Sequence, residues 1–256
     1  MNNLEILKIA MAQSAEDISC AAEDFEKDEN VIVFSKENEK ARKYLKLPFS
    51  CQLVSYGKNI VASVAPELEE ITRDYINRFT FYHCFETPNM HVLSEKLRPH
   101  GLDVCFMAEY FLPDVQALKA LPCPYELRIL TAEDFSELYL PEWSNALCES
   151  RKHLDVLGVG AYDGDTLIGL AGCSADCEAM WQIGVDVLPS HRKKGVASAL
   201  TSRLALEILA REKVPFYCCA WSNIASARNA IRSGFRPAWV EMTAKPKELI
   251  QEMNEA

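Results

Sequence analysis

HRKKGVAS, residues 191–198, decides how this chain is read. Arg192, Lys193 and Lys194 run into Gly195, then Val196, Ala197 and Ser198. An apolar run, IGVDVLP (183–189), precedes it, and ALTSRLALEILAREK (199–213) follows. Val196, Leu200, Leu204 and Ile208 recur every fourth residue and share one helix face. The stretch therefore reads as strand, turn, helix. Such a junction aims several backbone N–H groups at one point, and the helix dipole adds partial positive charge there. Gly195 removes a side chain that would hold an anion off the backbone, and Ala197 keeps the first turn slim. The three cations add charge and hydrogen bonds. The expected ligand is a phosphate or pyrophosphate; the competing reading is a solvated helix start that happens to be basic. Neither GxxxxGK[ST] nor GxGxxG is present, so this is not a Walker loop or a dinucleotide fingerprint.

Upstream, YELRIL (125–130) reads as a strand, and TAED (131–134) opens a helix with a capping-box pattern. VLGVGAYDGDTLIGLAGC (156–173) gives two apolar runs across Asp163-Gly164-Asp165, a hairpin signal. SADCEA (174–179) turns the chain into MWQIGVDVLP, completing a three-strand antiparallel meander. Downstream, PFYCCAW (215–221) is a strand. NIASARNAIRSGF (223–235) is a short helix capped by Asn223, with Gly234 just past its end. RPAWVEM (236–242) is a last strand before a polar, peripheral tail.

The first half mixes signals. Residues 4–25 have helical spacing, and NVIVFS (30–35) is a short strand. CQLVSYGKNIVASV (51–64) is two strands across a YGKN turn. PELEEITRDYINRF (66–79) starts a helix with proline and acids. TPNMHVLSEKLRPHG (87–101) is a helix closed by Gly101, and LDVCFMAEYF (102–111) a strand. LPDVQALKALPCP (112–124), with three prolines, is the expected connection between two domains, 1–124 and 125–256.

The 256 residues are 49% hydrophobic and 25% charged, enough for a real core and against disorder. A net charge of -10 repels nucleic-acid backbones at long range, so no nucleic-acid partner is expected, and the basic turn stands out as local. The N-terminus reads as an amphipathic helix rather than a signal peptide, and no run is long enough to span a bilayer. A soluble, cytoplasmic protein with no membrane partner is expected. The ten cysteines read as reduced, small hydrophobic residues. A zinc site from Cys173, Cys177, Cys218 and Cys219 has loose spacing and an adjacent pair that would face opposite ways, so no metal is expected.

Arg192-Lys193-Lys194-Gly195-Val196-Ala197 resembles the [QR]-x-x-G-x-[GA] motif of the GNAT acyltransferases (GCN5-related N-acetyltransferases). Asn223 through Ser226 to Gly234-Phe235 resembles the family's second block, and the 156–173 hairpin and the opening at Tyr125 match its order of elements. The resemblance covers about Tyr125 to Met242. It implies an α/β (α+β) fold: a mixed, mostly antiparallel sheet flanked by helices, preceded by a smaller α/β domain. It implies acetyl-CoA or another acyl-CoA as cosubstrate. The pyrophosphate would sit on Arg192, Lys193, Lys194, Gly195, Val196, Ala197 and Ser198. The pantetheine arm would pair with the backbone of Val185, Asp186 and Val187 as an added strand. Asn223 and Ser226 match positions that contact the arm.

The resemblance also implies acetyl transfer to a primary amine of a small molecule or protein, by direct attack in a ternary complex. A backbone N–H polarises the carbonyl, a carboxylate takes the amine proton, and a Tyr protonates sulfur. This sequence departs there: the Tyr position falls at Ala230, and a carboxylate found in some members falls at Cys218. Glu178, Asp186, Tyr217 and Ser222 are the remaining catalytic candidates, with Gln182 beside them on the strand. Glu142, Trp143 and His153 fall where acceptor-lining helices usually lie. The N-terminal half would shape the acceptor side or a homodimer surface; its helix-Gly-strand block also resembles a decayed second copy. A non-catalytic CoA-binding regulatory or sensor module is the alternative reading.

Overall fold

The computed structural model describes residues 1–255. The first half runs α1 (Asn3–Ile18), β1 (Val31–Phe34), β2 (Cys51–Ser55), β3 (Val61–Val64), α2 (Glu69–Arg78), α3 (Thr87–Leu97) and β4 (Leu102–Pro113). Then come β5 (Glu126–Thr131), β6 (Asp155–Asp163), β7 (Thr166–Ser174), β8 (Met180–Val187), α4 (Val196–Ala210), β9 (Val214–Ala220), α5 (Ile224–Arg232), β10 (Phe235–Pro246) and α6 (Lys247–Glu255). The chain forms two compact units: one of residues 1–10 and 111–237, the other of residues 11–110 and those from 238 on. Residues 112–124, read as a connection, lie in the first unit, where the Asp114 N–H donates to the Gly234 carbonyl at 2.8 Å.

In the first unit the strand order is β9-β8-β7-β6-β5. The meander β5 to β8 is antiparallel throughout, and the β6–β7 hairpin turns on Gly164 at φ +61°. β9 lies parallel to β8. A parallel neighbour needs a crossover, and α4 supplies it. Val196, Leu200, Leu204 and Ile208 are all buried, as their spacing requires, and α4 packs on β6, β7 and β8. Each such side chain contributes roughly 1.5–3 kcal/mol on burial.

One local expectation fails. The Thr131–Asp134 capping box forms, but it encloses a single 3-10 turn, Ala132–Phe135, rather than an α-helix. Pro141–Trp143 and Glu149–Leu154 are also 3-10 turns. Phe135, Trp143, Ala146 and Leu147 are buried against Leu130 and Leu170 as separate anchors, without the periodic face a longer helix needs.

In the second unit the order is β1-β3-β2-β10-β4. β1 and β3 are parallel; β2 is antiparallel to β3 and to β10. α1 stops at Ile18, short of the helical pattern, because Ser19 turns left-handed at φ +65°. Gly101 closes the α3 end at φ +73°. The core here carries charge. Arg42 donates to Asp17 and, at 2.7 Å, to Glu241, with all three side chains almost wholly buried. Trp239 Nε1 and Gln52 Nε2 also donate to Glu241, at 2.8 and 3.1 Å. Buried charges persist only with this degree of pairing.

Both sheets are mixed and mostly antiparallel with helices beside them, the α+β class expected. Among the described residues, no helix is long and apolar enough to cross a membrane.

Candidate functional site

β8 is paired along its whole outer length to β7, from Gln182↔Ser174 to Val187↔Gly169. Its pairing with β9 is short: Met180↔Val214, Trp181↔Pro215 and Gln182↔Phe216. From Ile183 on, the two parallel strands part. The edge of β8 carrying Val185, Asp186 and Val187 has no β9 backbone opposite it. An extended polar chain can fill such an edge by adding main-chain hydrogen bonds.

The split opens toward the basic turn. After β8 the chain makes a 3-10 turn, Pro189–His191, and Lys193 and Gly195 take left-handed conformations at φ +63° and +82°. Gly195 is the N-cap of α4, and no side chain caps that helix. The first-turn N–H groups of an α-helix have no intrahelical acceptor, so here they remain available to an anion. A Cβ on Gly195 would meet nothing within 4 Å: the space beside it is open.

The cations divide. Arg192 Nε folds back on the Val187 carbonyl at 2.9 Å and closes the end of β8. Lys194 Nζ donates to the Tyr125 hydroxyl at 3.1 Å. Lys193 is exposed. Val196 is in the core, and the Ser198 hydroxyl donates to Asn229 Oδ1 at 3.0 Å, so these two offer a ligand only their backbone. That Ser198–Asn229 bond ties the basic motif on α4 to the second motif on α5.

The other face of β8 carries Gln182, Gly184 and Asp186, and the segment Trp143–Leu147 lies on it. Gly184 faces Gly172 across the β7–β8 ladder. A Cβ on Gly184 would stand 1.8 Å from the Asn145 carbonyl oxygen, and one on Gly172 2.2 Å from that of Ala146. Only glycine permits this approach. Asp186 secures the segment: its carboxylate accepts from the Asn145 N–H at 2.8 Å, Asn145 Nδ2 at 2.7 Å and the Ala146 N–H at 3.0 Å. The facing glycines, Gly172 in LAGC (170–173) and Gly184 in IGV (183–185), are the sequence signal for this seat.

Tyr217 on β9 is buried, and its hydroxyl lies 2.7 Å from Ser226 Oγ. Burial pushes its pKa upward, so the phenol stays protonated. Asn223 caps α5 through the Ser226 N–H at 3.1 Å. Ser222 is exposed in the loop before it. Ala230 is fully buried in the core. Gln182 Nε2 donates to Cys218 Sγ at 3.2 Å across the strand split. Glu178 is exposed in the turn before β8, at the end opposite the basic turn. Trp143 is a core residue, while Glu142 and His153 are exposed. Among the described residues, no three His, Cys, Asp or Glu side chains gather into a metal-sized group.

The arrangement can therefore hold an extended molecule with an anionic end on the turn and an amide-bearing arm along β8. A GNAT acetyltransferase family model matches residues 60–238. No match was found among curated proteins. Among solved structures, the chain is similar to a GCN5-related N-acetyltransferase-like protein from Streptococcus suis, with 19% identity over 61% of this chain and 69% of that one, at a TM-score of 0.45. It is similar to a GCN5-related N-acetyltransferase from Kribbella flavida, with 14% identity over 61% of this chain and 63% of that one, at 0.43. An acetyltransferase from the GNAT family of Colwellia psychrerythraea gives 12% identity over 96% and 98%, at 0.47. The family match takes in β8, the basic turn, α4, β9 and α5, and more than half of the sequence: the chain belongs to the GNAT acetyltransferase family.

Proposed function

We propose that the protein is an N-acyltransferase that moves an acetyl group from acetyl-CoA to a primary amine of a small molecule or protein, by direct attack in a ternary complex. The observation that carries this reading is the split between β8 and β9, open beside the uncapped α4 N-terminus at Gly195. CoA has the matching form: a pyrophosphate, then an extended arm with two amides. The pyrophosphate takes the N–H groups of the 195–198 turn, with Lys193 and Lys194 beside it. The arm pairs with Val185, Asp186 and Val187. Asn223 and Ser226 flank the arm from the start of α5.

Acyl transfer then needs the amine nitrogen to bond to the thioester carbon, the C–S bond to break, and a proton to pass from nitrogen toward sulfur. A β8 backbone N–H left without a β9 partner is the candidate polarising group. Holding amine and thioester in line supplies much of the rate. Tyr217 is our candidate proton donor to sulfur: its buried phenol is protonated and hydrogen-bonded to Ser226. Asp186 is engaged with Asn145 and Ala146, which supports a positioning role over that of base. Ser222 and Glu178 are the exposed candidates that stay on the list. A non-catalytic CoA-binding module is the second reading, favoured by Ala230 standing where the family's Tyr falls; turnover of any amine decides between the two.

The test is acetyl-CoA binding by calorimetry to the protein, to Gly195→Ala and to Gly195→Glu. Both variants strain a left-handed residue, by about 1–2 kcal/mol, but only glutamate adds bulk and negative charge. We expect micromolar binding by the protein, weaker binding by the alanine variant and none by the glutamate variant. Equal binding by all three would remove the turn from the site; no binding by the unaltered protein would remove the acyltransferase reading.

A further inference from the structure

The place where β8 and β9 part is closed by side chains. The last backbone pair is Gln182↔Phe216. One step into the split, Gln182 reaches across and donates its amide to Cys218 Sγ at 3.2 Å. Both residues are half-buried, whereas Met180, Val214 and Phe216 behind them are almost fully buried. The split thus has a floor: a polar amide and a thiol, backed by packed core. On the same face of β8, a Cβ on Gly184 would stand 1.8 Å from the Asn145 carbonyl oxygen, so the 143–147 segment covers the strand two residues further on.

This inference rests on the acyl-CoA reading above. If the pyrophosphate sits on the 195–198 turn, the arm runs back along β8 from Val187 and its acyl end points at Gln182. The five residue-to-residue steps from Val187 to Gln182 span about 17 Å, a length the extended arm can cover. The acyl group then meets the Gln182–Cys218 bridge end-on. A longer chain could advance only by breaking that hydrogen bond and pushing an apolar tail against an amide, which the amide opposes. We propose that the Gln182–Cys218 bridge is the stop that fixes acyl length, and that it selects acyl-CoAs of two or three carbons over longer ones. Gln182 and Cys218 are specificity residues in this account; neither takes part in a bond-making step.

The experiment measures the dissociation constants of CoA, acetyl-CoA, butyryl-CoA and octanoyl-CoA by calorimetry, for the protein and for Gln182→Ala, Cys218→Ala and Cys218→Leu. No acceptor amine is needed. The unaltered protein is expected to prefer acetyl-CoA to butyryl-CoA by about tenfold or more, the scale on which a pocket discriminates single methylenes. Gln182→Ala and Cys218→Ala open the floor, and the butyryl-to-acetyl preference should move toward longer chains by about tenfold. Cys218→Leu raises the floor, so the acetyl group itself should weaken binding relative to CoA. The alanine and leucine changes act in opposite directions, so a general loss of structure cannot imitate the pattern. An unchanged acyl preference in all three variants, with acetyl-CoA still bound, overturns the stop and leaves the acyl-CoA reading standing. Wild-type protein that binds neither CoA nor any acyl-CoA overturns both.

Discussion

Asp186 is the residue whose meaning changes most between sequence and structure. In the sequence it is a carboxylate on the strand before the basic turn, a candidate base and a candidate contact to the arm. In the fold its carboxylate accepts three hydrogen bonds from Asn145 and Ala146. It holds down a segment that Gly172 and Gly184 admit to within contact of the sheet. Removing it by Asp186→Ala orphans two backbone N–H groups, and hydrogen bonds to a charged group contribute about 1.5–3 kcal/mol. A lower urea midpoint with an unchanged slope is expected, and Asp186→Asn should recover part of it. A variant as stable as the parent would refute the positioning role and return Asp186 to the list of bases.

Among the elements, α5 joins the two motifs. Asn223 caps its start, Ser226 meets Tyr217, and Asn229 reaches Ser198 and, at 3.0 Å, the Thr201 hydroxyl on α4. Ala230, at the family's Tyr position, lies one turn beyond Ser226 on the same helix face and is fully buried in the core cluster that holds Tyr217 and Phe235. The tyrosine cannot be restored there without overpacking. Ala230→Tyr is expected to lower stability by about 1–3 kcal/mol, read as a fall in Tm, with no gain in amine turnover. A stable variant with faster turnover would show that the helix rotates to present this position to the split. That Tyr217, on the neighbouring strand, brings a phenol to the start of the same helix could not be read from spacing. It depends on β9 and α5 packing together.

At the scale of the molecule, burial governs the response to pH. Burial pushes the thiols of Cys20 up to about 12, Cys51 to about 11 and Cys84 to about 12, and raises the pKa of Tyr56, Tyr75 and Tyr217. Ordinary thiols and phenols ionise at about 8.5 and 10. Above those values the unfolded chain loses protons that the folded chain keeps. The stabilisation is therefore complete below about pH 8 and is lost progressively as pH rises from about 8.5 toward about 12. Urea unfolding at pH 7 and pH 10 should show a clearly lower midpoint at pH 10. Equal midpoints would mean these groups titrate alike in both states. The buried Arg42 with Asp17 and Glu241 belongs to this scale too, since residues far apart in sequence must meet for any of the three to be tolerated.

The sequence by itself determined the elements and the family. The DGD hairpin, the four-residue spacing of α4, the Gly195 turn, the Asn223 cap and Gly101 are local signals, set by φ preference, side-chain period and capping chemistry within a few residues. Those forces act along the chain, so they survive in a string of letters. The 3-10 turn after Thr131 is not legible in the sequence, because a capping box specifies only a first turn, while the length of a helix depends on what its face is packed against. Where β9 leaves β8, what seats the 143–147 segment, and which face Tyr217 and Asp186 present were decided only in the tertiary structure. Each depends on pairing register and close approach between segments distant in sequence, and a one-residue shift in register reverses every side chain on a strand.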